Sequence, residues 1–318
     1  AEMGWQAMSV PEEYGGAGFG FLELAVIIEE QGRSLFTAPF FSTAVLATHA
    51  LLLGGFEEQK RQLLPGMAAG ETVAAVAASD ADGHLSTEGT ETTASRDGDG
   101  WQLNGTKRFV LDGHIADVLL VTADTGDGVS LFLVNGGEVS ASALPTMDET
   151  RKQAEVVLDG VRVGADARLD GDAALVLARL DQYASAAIAV ESVGGAQRCL
   201  DMSVEYAKDR KQFNRPIGSF QSIKHKCADM LVQLEAAKSA AYYAAWAVSE
   251  DAEDSPEAAS IAKAYCTDAY YHCAAENIQI HGGIGFTWEH DAHLYFKRAK
   301  SSQLMFGSPQ LHRRRLAA

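Results

Sequence analysis

Two short segments hold the residue types best suited to binding chemistry. In AKDRKQF, from Ala207 to Phe213, Arg210 and Phe213 stand three residues apart. A guanidinium offers a planar fork that suits a phosphate bidentately, and an aromatic ring covers an apolar planar face. In QIHGGIGF, Gln279 precedes Gly282 and Gly283, where missing Cβ atoms let a backbone approach a ligand closely. Plainer roles exist for both: a helix C-terminal cation for Arg210 and a simple helix end for the glycines.

Other reactive side chains carry less. Glu191 lies in an apolar helical stretch and reads as a buried carboxylate hydrogen-bonded among helices, because unpaired burial is costly. Glu289 and Asp291 flank a loop and are expected to be solvated. His290 and His293 have a spacing that suits zinc, but no further Cys or His lies near them, so no metal site is expected. Arg313, Arg314 and Arg315 form a basic end that reads as solvated or subunit-contacting.

Composition excludes some partners. The 318 residues carry 26 Lys and Arg against 43 Asp and Glu, a formal charge of −17, which argues against nucleic acid and anionic membrane surfaces. Cys199, Cys227, Cys266 and Cys273 form no CxxC pair and fall in helical segments, which predicts reduced thiols in a cytoplasmic protein. No basic-then-apolar leader opens the chain and no charge-free run of about 18 apolar residues occurs, so neither secretion nor membrane spanning is expected. The opening AEMGWQAM reads as mid-helix, which predicts residues before Ala1.

The elements that must position these residues fall into three stretches. Residues 1–72 read as a helical domain cut short at its start. It has an amphipathic run at Leu22, Ala25, Val26 and Ile28 closed by Gly32, a second helix from Ser42 to Leu53, and a third from Glu57 to Leu64 stopped by Pro65. Residues 73–165 alternate short β-branched runs (VAAVAA, WQLNGTKRFV, VLLVTA, VSLFLV, EVVL) with turns at Asp99-Gly100 and Asn104-Gly105. They predict an antiparallel β domain or small barrel, with weak structure only at Asp80–Ser95 and Asp124–Gly128. Residues 166–318 return to helix: Ser219 is the expected cap of one, Ser255-Pro256 starts another and Gly282 ends it. Long helices joined by short turns imply a four-helix bundle. The fold class is therefore α+β and multidomain: helical lobe, β domain, bundle.

This order, with VPEEYGGAG at Val10 to Gly18, YAKDRKQFNRPIGSFQ at Tyr206 to Gln221 and QIHGGIGF at Gln279 to Phe286, resembles the acyl-CoA dehydrogenase family over the whole chain. The resemblance implies FAD as cofactor, lying extended between the β domain and the bundle, with its adenosine-pyrophosphate end held by a neighbouring subunit. It implies cofactor contacts for Arg210, Phe213, Gln279, Gly282 and Gly283, directed at a partner's FAD. It implies an acyl-CoA substrate and an electron-transfer flavoprotein as acceptor.

The resemblance also exposes departures. Where the family has a TEPGAGSD-like loop whose hydroxyls and amides meet the cofactor, this chain has SDADGHLS from Ser79 to Ser86. Ser79 retains one hydroxyl, a later serine becomes Leu85, and Asp80 and Asp82 add negative charge. The flavin-facing WIT strand reads Phe109-Val110-Leu111. The two positions that carry the family's proton-abstracting carboxylate correspond to Phe306 and Ala184, neither of which titrates. The leading expectation is a base-lacking subunit of a heteromeric (α2β2) dehydrogenase, as in actinobacterial steroid-degrading members, with catalytic residues of its own unknown and the isolated chain inactive. The alternatives are a homo-oligomeric enzyme that uses Glu191, two helical turns past Ala184, and a flavin-free structural protein.

Overall fold

The computed structural model describes residues 2–317 as two compact units. The first comprises the chain up to Leu24, Ala38–Thr146 and Arg151–Ala184; the second comprises Ala25–Thr37, Met147–Thr150 and the chain from Ser185 onward.

The first unit centres on a curled sheet of seven strands: β1 (Ala74–Ala77), β2 (Thr93–Asp97), β3 (Gly100–Leu111), β4 (Val118–Asp124), β5 (Val129–Asn135), β6 (Ser140–Ala143) and β7 (Gln153–Val163). Its order is β1-β4-β2-β3-β7-β6, with β5 paired to β4. Most pairings are antiparallel as expected, but β1 runs parallel to β4, so the sheet is mixed. Inward residues Trp101, Leu103, Leu119, Val121, Phe132, Val156 and Leu158 form its core, following the period of two along each strand. The turn between β2 and β3 falls at Gly98-Asp99, where Gly98 adopts a left-handed φ of 59°. Asn104-Gly105 makes no turn: β3 runs through it, with the extra residue of a register shift on the β7 side, and a Cβ on Gly105 would press on Thr92 at 2.5 Å.

Helical pieces complete this unit. A wide-turned π-type stretch, Phe41–Ala47, leads into α2 (Thr48–Gly54), where the sequence suggested one continuous helix. Helix α3 (Glu57–Ala69) passes through Pro65 rather than stopping there. Pro65 and Arg61, whose carbonyl loses its helical donor, are both exposed residues, and Gly70 in the left-handed region ends the helix instead. Near the start, Trp5–Ala7 is a single 3-10 turn and not the middle of a helix.

The second unit is helical. Helix α1 (Phe21–Ser34) enters it from the first unit, as does α4 (Ala173–Asp209); α5 (Gln221–Ser249), α6 (Ser255–His281), α7 (Ala292–Leu304) and α8 (Pro309–Arg315) follow. Gly32 does not close α1. It lets α1 meet α4 at backbone distance, since a Cβ there would lie 2.1 Å from the Glu191 carbonyl oxygen, and Gly194 does the same against Glu29 at 1.8 Å. Ser219 does not cap α5, which starts two residues later behind Phe220. Helix α6 begins at Ser255 with Pro256 in its first turn and is followed by Gly282. Helix α4 is long and apolar enough to cross a membrane by composition, and 61% of its most apolar window is buried inside the fold.

Candidate functional site

The second unit gathers the sequence-predicted binding residues at the C-terminal ends of α4 and α6. Tyr206, in the last turn of α4, stacks on His281, the last residue of α6, with ring centroids 4.3 Å apart, and His281 in turn meets His290 at 4.3 Å. These three rings tie the two helix ends together; the sequence offered no periodic signal for them. Desolvation lowers the His281 pKa, opposed by its Nδ1 contact with the Asn277 carbonyl.

Arg210 sits one turn past Tyr206, its N–H donating to the Tyr206 carbonyl at 2.8 Å. Its side chain is exposed and has no hydrogen bond or ion pair among the described residues. A two-stranded ribbon follows, β8 (Lys211–Gln212) paired with β9 (Arg215–Pro216). Its tip is Phe213-Asn214, both left-handed at φ 52° and 60°, the backbone of a tight hairpin turn that glycine or asparagine ordinarily fills. Phe213 is 88% exposed at that tip, touched edge-on by Phe220. Its ring therefore adds little to core packing and stands open to solvent in a conformation that is costly for an L-residue.

Gln279 is exposed on α6 and is likewise free of hydrogen-bond partners among the described residues. Gly282 has φ 65° and ψ −140°, a combination open to glycine alone. No atom lies within 4 Å of a Cβ built on Gly282 or Gly283, so that backbone is open to a ligand, whereas Gly285 is the glycine packed inward, against His281 and Ile278.

The positions expected to hold a base are apolar in fact as in sequence. Ala184 is fully buried. Phe306 is buried with a left-handed φ of 54°. Its carbonyl accepts from His312 Nε2 at 3.0 Å, while the buried Lys263 ammonium donates to the carbonyls of Ser302 (2.9 Å) and Gly307 (3.1 Å). The loop around Phe306 is thus fixed from both sides, and what it presents cannot take a proton. Glu191 is buried and paired with Arg298 Nη1. Arg298 also donates to Thr150 Oγ1 and the Thr150 carbonyl at 2.9 Å each, and its Nε lies 3.0 Å from Asp148 Oδ2. Arg298 shares the i, i+3, i+4, i+7 stripe Tyr295, Arg298, Ala299, Ser302 of α7, a placement that marks it as inward-facing.

In the first unit, the segment where the resemblance leads one to expect a cofactor loop folds on itself. Ser79 Oγ accepts the N–H of Ala81, Asp82 and Gly83 and donates to Asp82 Oδ1 at 2.9 Å. Asp80 is not a loose charge: Lys107 Nζ lies 2.9 Å from its Oδ1 and Thr92 donates to it. Burial alone would raise the Asp80 pKa, but Thr92 and Lys107 hold it below the usual carboxylate range, while burial depresses Lys107 to about 8. Lys107 shares the inward parity of Trp101 and Leu103 on β3, a sign legible in the sequence. Leu85 and Leu111 are buried. Among the described residues no group of three His, Cys, Asp or Glu is arranged to hold a metal.

The chain matches the acyl-CoA dehydrogenase N-terminal domain over residues 1–71, the middle domain over 75–161 and the C-terminal domain over 176–318. It belongs to the acyl-CoA dehydrogenase family. It is 35% identical over 317 residues to acyl-CoA dehydrogenase IpdE2 of Mycolicibacterium smegmatis, covering 100% of this chain and 85% of that protein. Its fold matches a chain of the ChsE4-ChsE5 complex from Mycobacterium tuberculosis with a TM-score of 0.89 and 31% identity, covering 99% and 85% of the two chains. A glutaryl-CoA dehydrogenase from Mycobacterium smegmatis in complex with FADH2 superposes with a TM-score of 0.92 at 26% identity, covering 98% and 82%.

The residues present fit FAD in part. The second-unit set, an unpaired guanidinium, an exposed ring and an open glycine backbone, has the chemistry to hold a dinucleotide. The loop Ser79–His84 does not: its amides and its hydroxyl are already bonded within the loop.

Proposed function

We propose that this chain is the base-lacking subunit of a heteromeric (α2β2) acyl-CoA dehydrogenase. It lends Arg210, Phe213, Gln279, Gly282 and Gly283 to FAD held mainly by a base-containing partner chain. FAD, when bound there, supplies the hydride acceptor for α,β-dehydrogenation of an acyl-CoA thioester. Arg210 would bind and orient the dinucleotide through its phosphates, Phe213 would cover an apolar ring face and exclude water, and the Gly282-Gly283 backbone would let the nucleotide approach closely. The division into residues 1–72, 73–165 and 166–318, a cytoplasmic location, an electron-transfer flavoprotein acceptor and a steroid-derived acyl group belong to the same reading.

The observation that carries it is Phe306: a buried, non-titrating side chain on a loop braced by Lys263 and His312. General-base catalysis needs a titratable group within hydrogen-bond reach of the proton removed. The heteromeric ChsE4-ChsE5 complex of the same fold supports the two-chain arrangement. The pairing of Glu191 with Arg298 weighs against Glu191 as a substitute base, because that carboxylate is buried with its charge engaged.

Expression alone and beside a base-containing dehydrogenase chain, followed by the flavin-to-protein ratio of each product, tests the proposal. Expected are a flavin-poor product alone and a complex with one FAD for every two chains, from which Arg210→Ala releases the flavin. A homomer with one FAD per chain, bleached by an acyl-CoA, would end it.

A further inference from the structure

We infer that the loop Ser79–His84 is shut against a dinucleotide by its own side chains, a device that rests on the shared-flavin reading above and supplies its physical cause. A loop binds a phosphate by turning successive backbone N–H groups and a hydroxyl toward one point. Here that point is filled from within. The N–H groups of Ala81, Asp82 and Gly83 reach Ser79 Oγ at 3.2, 2.9 and 2.8 Å, and the His84 N–H reaches Asp82 Oδ1 at 3.0 Å. The one hydroxyl proton of Ser79 goes to the same Asp82 oxygen at 2.9 Å. Four consecutive amides and a hydroxyl are thus spent inside six residues.

Charge acts in the same direction. Asp82 Oδ2 faces His84 Nδ1 at 2.9 Å, with no Lys or Arg paired to it among the described residues. Hydrogen bonds from His84 and Ser79 outweigh the desolvation that would raise the Asp82 pKa, so it is lowered and the group stays anionic at neutral pH. A phosphate brought to this loop meets a carboxylate at close range and repels it.

The loop also has nowhere to swing. At its front, Asp80 is bound by the buried Lys107, by Thr92 and by the N–H of Glu91; leaving would strand a buried ammonium. Near its end, Gly83 lies against Phe109, the would-be Cβ being 3.3 Å from the Phe109 Cβ. Phe109 itself is held at a φ of 57°. Anchored at both sides and satisfied within, the segment keeps the outline of a phosphate loop without its binding capacity.

The test is FAD binding by the full chain expressed alone, read as flavin fluorescence quenching, for the native chain, for Ser79→Gly with Asp82→Gly together, and for Asp82→Asn. Asn keeps the geometry of Asp82 and drops its charge. The double variant, which leaves the Asp80–Lys107 anchor in place, is expected to bind FAD at least about tenfold more tightly than the native chain, and Asp82→Asn about threefold more tightly. If the double variant fails to fold by circular dichroism, Asp82→Asn decides. A native chain that retains one FAD per chain overturns the inference, as does a folded double variant, or Asp82→Asn where it decides, with native affinity. The two-chain complex keeps the readings apart: loss of its flavin on Arg210→Ala with no gain in the loop variants sinks only the closed loop. Retention of flavin on Arg210→Ala sinks the sharing, whatever the loop does.

Discussion

Arg298 and Glu191 meet inside the helical unit with side chains 3% and 7% exposed, and Asp148, 2% exposed, stands on the other side of the same guanidinium. This cation and its two carboxylates join α4, α7 and the short segment Met147–Thr150. Desolvation opposes the charge on Arg298, but Glu191 and Asp148 together raise its pKa. Removing the cation alone takes away the guanidinium that both buried carboxylates face. Arg298→Met is expected to destabilise the chain by about 3–5 kcal/mol in urea unfolding, the cost of breaking a buried pair from one side. Arg298→Met combined with Glu191→Gln and Asp148→Asn should recover most of that loss, because the cation and the two carboxylates facing it are then neutralised together. A combined variant as unstable as the single one would show that the cluster matters for its shape and not its charge.

The contact of α1 with α4 rests on two glycines that face each other's helix backbone. A Cβ on Gly194 would lie 1.8 Å from the Glu29 carbonyl oxygen, and one on Gly32 would lie 2.1 Å from that of Glu191. Both obstacles are backbone atoms, which cannot rotate away. Gly194→Ala is expected to lower stability by about 3 kcal/mol or more, the upper end of overpacking costs, despite alanine's better helix propensity. Gly283→Ala, whose Cβ meets open space, should shift the urea midpoint little and serves as the comparison.

The order of helical, β and helical stretches was legible because it rests on hydrophobic period, which the chain keeps over long runs. Ser255-Pro256 and Gly282 were legible as a start and a stop because their backbone restrictions are local. Gly32, Pro65 and Asn104-Gly105 misled for one shared reason: each residue type has a default local meaning that a distant partner overrides. Gly32 is small for the sake of Glu191, and Gly105 for Thr92. The parallel pairing of β1 with β4 also lies beyond local pattern, since it joins strands separated by β2 and β3. Among the residues proposed to bind, Arg210 and Gln279 were visible as types, but the Tyr206–His281–His290 ring contacts that bring their helix ends together are long-range and leave no periodic trace. Lys107 and Arg298 left such a trace in strand parity and helix stripe, and the general rule that Lys and Arg are rarely buried hid it.

Phe213 separates stability from binding. Its ring is almost wholly exposed, and its backbone occupies the left-handed region, which costs an L-residue roughly 1–2 kcal/mol. Glycine relieves that strain while adding unfolded-state entropy of similar size. Phe213→Gly is therefore expected to leave the stability within about 1 kcal/mol of the native chain while weakening flavin retention in the two-chain complex. A marked loss of stability would identify the ring as a packing group and remove it from the proposed cradle.

His49 sets a pH dependence in the first unit. Its ring lies against Tyr183 at 4.2 Å and edge-on to Phe21 at 5.7 Å, and its Nδ1 lies 2.7 Å from the Val45 carbonyl. Desolvation lowers its pKa from 6.5 to about 4, only partly offset by the backbone contact. Between those two values the unfolded chain binds a proton that the folded chain refuses, so unfolding gains on folding as pH falls. The contribution is fully present above pH 6.5, fades from there to about pH 4 and is lost below; at 1.36 kcal/mol per unit the total is about 3 kcal/mol. His49→Gln, which cannot titrate, should flatten this part of the stability curve in urea unfolding measured from pH 7 to pH 4. An unchanged slope in that variant would place the acid sensitivity in the carboxylates around Lys107 and Arg298 instead.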